Sequence, residues 1–113
     1  MPSISTHVLN SETGTHVAGL TVTLTHIKTD GARKKIFSGK TDSGGRLIRS
    51  IDFPLTRDEI FEIEFKLSDI HIKKKGIYCR DIIYRVSFGS QNETFHIPII
   101  VSQHGASTWW SGA

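Results

Sequence analysis

An all-β fold, a two-sheet antiparallel β-sandwich with one short helix, is what this sequence predicts, on three observations. Short segments alternate between apolar and polar residues, the period of a strand with one buried face. Turn-forming residues separate these segments roughly every 8–12 positions, as in a sandwich of about seven or eight strands. At 113 residues, 37% hydrophobic and 22% charged, the chain has material for one domain, 1–113, and one core.

The first strand runs from Ser3 to Leu9, with Ile4, Thr6 and Val8 on one side and Ser3, Ser5, His7 and Leu9 on the other. His7 therefore lies on the more polar face. Asn10 to Gly14 supplies turn chemistry. Leu20 to Ile27 is the second strand, Leu20, Val22 and Leu24 inward against Thr21, Thr23 and Thr25; a threonine-rich outer face suits a half-buried antiparallel sheet. Thr29-Asp30-Gly31 turns the chain into a short strand from Lys35 to Gly39. The glycine-rich stretch Gly39 to Arg46 is a tight connection into a strand from Arg46 to Ile51. It lacks the spacing of a phosphate loop, and its sharper reading is a turn that aims Arg46.

Asp52 to Asp58 is a loop around Pro54. From Glu59 to Leu67, Phe61, Ile63, Phe65 and Leu67 share one face and Glu62, Glu64 and Lys66 the other. Ser68-Asp69 opens the short helix, which runs to Lys75 and closes at Gly76. Ile82, Tyr84, Val86 and Phe88 form the inner face of the next strand, and Gly89 to Asn92 turns the chain again. The stretch from Glu93 to Ala113 reads as a strand, a turn and a final strand. Phe95, Ile97, Ile99 and Val101 form its apolar stripe, opposite Thr94, His96, Pro98 and Ile100.

Net charge is +3, with basic clusters at Arg33-Lys34-Lys35 and Lys73-Lys74-Lys75. Without interleaved aromatics or a helix-turn-helix pattern these read as solvated faces, and no nucleic-acid partner is expected. No apolar run approaches the ~18 residues of a membrane helix, so no membrane partner is expected either. The amino terminus lacks the features of a secretory signal, and the single Cys79 has no internal disulfide partner. A cytoplasmic location is the expectation.

No serine-nucleophile motif or carboxylate pair is visible, and Cys79 reads as structural. Histidine is the informative residue type. His16, His26 and His71 fall near turns or on solvent faces and receive no role. His7 and His96 lie inside strands but off the apolar stripe. On neighbouring strands they would share a face within reach of one small ligand, and imidazoles titrate where protons can be taken and returned. His104, in the final turn, approaches the same face. No pair has the short spacing of a metal motif, and no metal site is predicted.

Three segments resemble, in order, those of the transthyretin-related family: Ser5-Thr6-His7-Val8-Leu9-Asn10, Gly39-Lys40-Thr41-Asp42-Ser43-Gly44-Gly45-Arg46, and His96-Ile97-Pro98-Ile99-Ile100-Val101-Ser102-Gln103. That family comprises the 5-hydroxyisourate hydrolases of urate breakdown and the hormone carriers descended from them. The similarity covers nearly the whole chain, and the His-Ile-Pro segment is its most specific piece. The resemblance implies a homotetramer, a dimer of dimers, with sites in the channel between dimers. The family's enzymes use two histidines and an arginine, which fall by motif on His7, Arg46 and His96. Carriers lose these residues, so the implied activity is hydrolysis of a small-molecule substrate, hydroxyisourate, with no cofactor. Either histidine can serve as the base, His96 being favoured. The other reading is a non-enzymatic small-ligand binder using the same channel.

The carboxyl terminus departs from the pattern. The hydrolases typically finish Ser-Thr-Tyr-Arg-Gly-Ser, whereas this chain finishes Ser107-Thr108-Trp109-Trp110-Ser111-Gly112-Ala113. Ungapped, Trp109 takes the tyrosine position; with one inserted residue, Trp110 does. Trp110, Ser111 and His104 are the residues expected to contact substrate.

Overall fold

Two sheets face each other across a core of aliphatic and phenylalanine side chains in the computed structural model, which describes residues 2–51, 59–70, 75–88 and 94–111. The strands are β1 (Ser3–Asn10), β2 (Thr15–His16), β3 (Thr21–Ile27), β4 (Arg33–Lys40), β5 (Arg46–Ser50), β6 (Ile60–Phe65), β7 (Ile82–Val86), β8 (Thr94–His96), β9 (Ile99–Ser102) and β10 (Gly105–Thr108). One sheet has the order β4-β3-β6-β7. In the other, β1 is central. Its first half is flanked by β5 and β8, its second half by β2 and β9, and β10 lies outside β9.

The alternation read from the sequence matches burial closely. Leu20, Val22 and Leu24 are fully buried, as are Phe61, Ile63, Phe65 and Leu67, and they meet Ile4, Val8, Ile99 and Val101 from the opposite sheet. Each such side chain contributes roughly 1.5–3 kcal/mol when removed from water. Thr6, on the inner face, satisfies its hydroxyl by donating to the Ile97 carbonyl at 2.6 Å.

Four features differ from expectation. Pairing is not antiparallel throughout, because β8 and β9 both run parallel to β1. The chain leaves β7 in one sheet and enters β8 in the other, and such a crossover permits parallel neighbours. The single strand expected through Val101 is split at Ile97-Pro98. Proline has no N–H for the ladder, and Pro98 is buried instead of lying on a wet face. The described part of the expected helix is a 3-10 turn, Leu67–Asp69; the remainder of the helix at 71–74, His71, the loop at 52–58 and the turn at 89–92 lie outside the described residues. Finally, Glu62 faces away from the core yet is buried, held by Arg33 of β4 and by Arg85 of β7, whose Nη2 lies 2.8 Å from Glu62 Oε2.

Candidate active site

The outer face of the sheet built on β1 carries the polar residues left over by the core pattern. Its arrangement follows from register. His7 on β1 is the direct partner of Arg46 on β5, and Ser5 is the partner of both Ile48 on β5 and His96 on β8. Residues paired across a ladder share a face, about 4.8 Å apart. His7, Arg46 and His96 thus share one face.

The turn before β5 is what delivers Arg46. Asp42 Oδ1 accepts the backbone N–H groups of Gly44 and Arg46, both at 2.9 Å. The Arg46 N–H, joined by the Gly44 N–H and the guanidinium charge, holds the Asp42 carboxyl below its ordinary range despite the opposing effect of burial. Gly45 has φ +77°, and a Cβ there would lie 2.6 Å from the Val8 carbonyl oxygen. Only glycine lets the turn close against β1, where Val8 N–H donates to the Gly45 carbonyl at 2.8 Å. Thr41 anchors the other side, its hydroxyl donating to Val17 O at 2.6 Å and accepting Leu20 N–H at 3.0 Å. The turn sets Arg46 directly opposite His7 across the β1–β5 ladder.

His96 is held by Ser5, whose Oγ lies 2.7 Å from His96 Nδ1, leaving Nε2 as the other ring nitrogen. Its backbone pairs with Ser111 of the tail, N to O at 2.9 Å and 3.0 Å in the two directions. Ser111 is therefore the direct ladder partner of His96. The same register that pairs Ser107 with Ile100 and Ser111 with His96 sets Trp109 beside Pro98, and Pro98 beside His7. Trp109 alternates onto the outer face, about 10 Å from His7 across two strand spacings.

Trp110 points the other way. It lines a hollow of about 570 Å³ at the open edge of the sandwich, with Tyr84, Val86, Phe88, Phe95 and Ile97. That hollow is larger than the one of about 370 Å³ beside Arg46, lined also by Lys40, Asp42, Ile48 and Arg49, but it contains none of the three motif residues. His104 sits exposed in the β9–β10 turn, past Ser102 at the end of the sheet, and is not brought to the histidine pair. Of the three expected substrate contacts, Ser111 pairs directly with His96 and also borders the hollow that Trp110 lines.

One residue given no role belongs to the cluster. His16 on the two-residue strand β2 pairs with Leu9, and its Nδ1 lies 2.9 Å from His7 Nε2. Burial lowers the His7 pKa, and the neighbouring Arg46 and His16 lower it further; a hydrogen bond to the Gly44 backbone opposes them, and His96 adds a smaller lowering effect. His7 is accordingly neutral at neutral pH. Among the described residues, no group of three or more His, Cys, Asp or Glu side chains is arranged to hold a metal ion.

The assembled features are those of a transthyretin-type sandwich with a histidine–arginine face. The family model for the HIUase/transthyretin family matches residues 4–111, and the chain belongs to that family. Among relatives, it is 27% identical over 116 residues to the 5-hydroxyisourate hydrolase of Halalkalibacterium halodurans, covering 94% of each chain. Among solved structures, transthyretin from Sparus aurata superposes with a TM-score of 0.84 at 15% identity, covering 97% of both chains. The 5-hydroxyisourate hydrolase of Klebsiella pneumoniae does so with 0.79 at 21% identity, covering 98% of this chain and 99% of that one. At those identities the two superpositions speak to fold alone.

Proposed function

We propose that this chain is a hydrolase that opens the ring of 5-hydroxyisourate in urate catabolism, acting in the cytoplasm as a homotetramer with its sites in the channel between dimers. The observation that carries the reading is the convergence of His7, Arg46 and His96 on one sheet face, together with full-length similarity to a protein named for that activity.

The chemistry needs three things. Water must lose a proton as it attacks a ring carbonyl, the oxygen of that carbonyl must bear negative charge, and the departing ring nitrogen must gain a proton. In the tautomer that donates Nδ1–H to Ser5 Oγ, His96 offers a bare Nε2 to the attacking water. Arg46, permanently charged and with several donors, holds the developing oxyanion. The proton that His96 takes from water is returned to the leaving nitrogen, while His7 stays neutral beside that guanidinium. The proposed steps use side chains alone. Trp109 offers a flat apolar surface on the same face for a planar ring.

Hydroxyisourate generated with urate oxidase and followed by its ultraviolet absorbance tests the proposal. Decay faster than the spontaneous rate is expected. Binding without acceleration would instead favour a carrier on this fold.

A further inference from the structure

We propose that His16 is a positioning residue for His7, the two imidazoles forming one acid–base unit whose open end is His16 Nε2. This rests on the hydrolase reading for its purpose, and on the geometry of β1 and β2 for its existence.

A two-residue strand after a turn is enough to place the pair. Gly14, at φ +70°, closes the turn back toward β1, and β2 then pairs Leu9 with His16 and Asn10 with Thr15. His16 thereby lands diagonally across from His7. The ring centroids are 4.9 Å apart, the planes tilt by 27°, and the facing nitrogens are 2.9 Å apart. Nitrogens much closer than the centroids mean that the rings meet vertex to vertex, in a hydrogen bond.

Such a bond requires one donor and one acceptor. With His7 Nε2 and His16 Nδ1 engaged with each other, the two tautomers are locked in series: whichever ring donates, the other accepts. In the arrangement in which His16 donates, its Nε2 keeps a lone pair, and a proton taken up there is matched by passage of the Nδ1 proton to His7 Nε2, so that one positive charge remains on the unit.

A second proton is disfavoured by the surroundings. Arg46 from β5 and His96 from β8 oppose it, while Asp42 from the β4–β5 turn, whose own pKa is lowered in part by His7, is an acidic group near the ring.

Side-chain nitrogen NMR titration of the intact protein reads the tautomers and midpoints directly. Wild type, His16→Ala and His16→Gln are compared, with kcat/KM for hydroxyisourate measured against pH on the same samples. In wild type, His7 is expected in one tautomer with a depressed midpoint. In His16→Ala the midpoint rises by about half a unit or more toward the ordinary imidazole value, the tautomer preference is lost, and kcat/KM at pH 6 falls about two- to threefold. His16→Gln, which retains an amide donor, keeps the tautomer and most of the rate at high pH while its acid limb still moves up. A purely structural His16 would change rates without moving the limb. Identical His7 midpoints and tautomers in wild type and His16→Ala overturn the proposal. Failure of wild type to accelerate decay would instead remove the hydrolase reading, and the NMR comparison would still decide the pair.

Discussion

His96 and Ser111 exchange both of their backbone hydrogen bonds, at 2.9 and 3.0 Å, so the tail of the chain is stitched to the strand that carries the histidine. The pairing fixes the parity of every residue between them and β10. Trp109 goes to the His96 face, and Trp110 to the apolar hollow with Phe88 and Phe95. Trp109→Ala should raise KM for hydroxyisourate about five- to tenfold through loss of ring stacking. Trp110→Ala should leave KM within about twofold. Steady-state kinetics on the two variants check the assignment.

The turn that delivers Arg46 should be as sensitive as the site itself. Gly45→Ala forces a side chain into φ +77° and against Val8 O, and should cost about 3 kcal/mol or prevent folding. Thr41→Val keeps the shape but leaves Val17 C=O and Leu20 N–H without their buried partner. About 2 kcal/mol is expected from that change, read as a shift of the urea midpoint with an unchanged slope.

Glu62 predicts the acid limit of stability. Hydrogen bonds from Arg33 and then Arg85 lower its pKa, with their charges adding to the effect against burial. A carboxyl depressed in the folded state contributes stability above its unfolded pKa, which is lost as pH falls through the folded value. Urea midpoints of wild type should fall from about pH 5 downward, whereas Glu62→Gln should be less stable at pH 7 by about 1 kcal/mol and flatter in this range. Parallel curves for the two proteins would show that Glu62 contributes nothing to the pH dependence.

Much of this was legible from alternation and motif. Phe61, Ile63 and Phe65 are buried because their neighbours in sequence are not apolar, and period two needs no tertiary information. His7, Arg46 and His96 could be picked by motif, though bringing them together required the β1–β5 and β1–β8 registers. What escaped depends on pairing between distant segments. His16 follows a turn and has no apolar periodicity around it, so only the Leu9 register reveals that it meets His7. The choice between Trp109 and Trp110 is a question of parity, answerable once Ser111 is paired. Glu62 read as a wet-face residue because Arg33 and Arg85 reach it from strands that are neighbours only in space. The parallel partners of β1 follow from a crossover between sheets, which local turn chemistry does not announce.

The most direct measurement is the rate of hydroxyisourate decay with wild type and with His96→Ala, Arg46→Ala and Cys79→Ser at equal concentration. Wild type and Cys79→Ser should accelerate decay equally, since Cys79 is exposed and its thiol donates to the Asp81 carbonyl at 3.1 Å, outside the three motif residues. His96→Ala and Arg46→Ala, folded and assembled as wild type, should lose about 10²- to 10⁴-fold of kcat/KM. Full activity in either of those two variants would contradict the account.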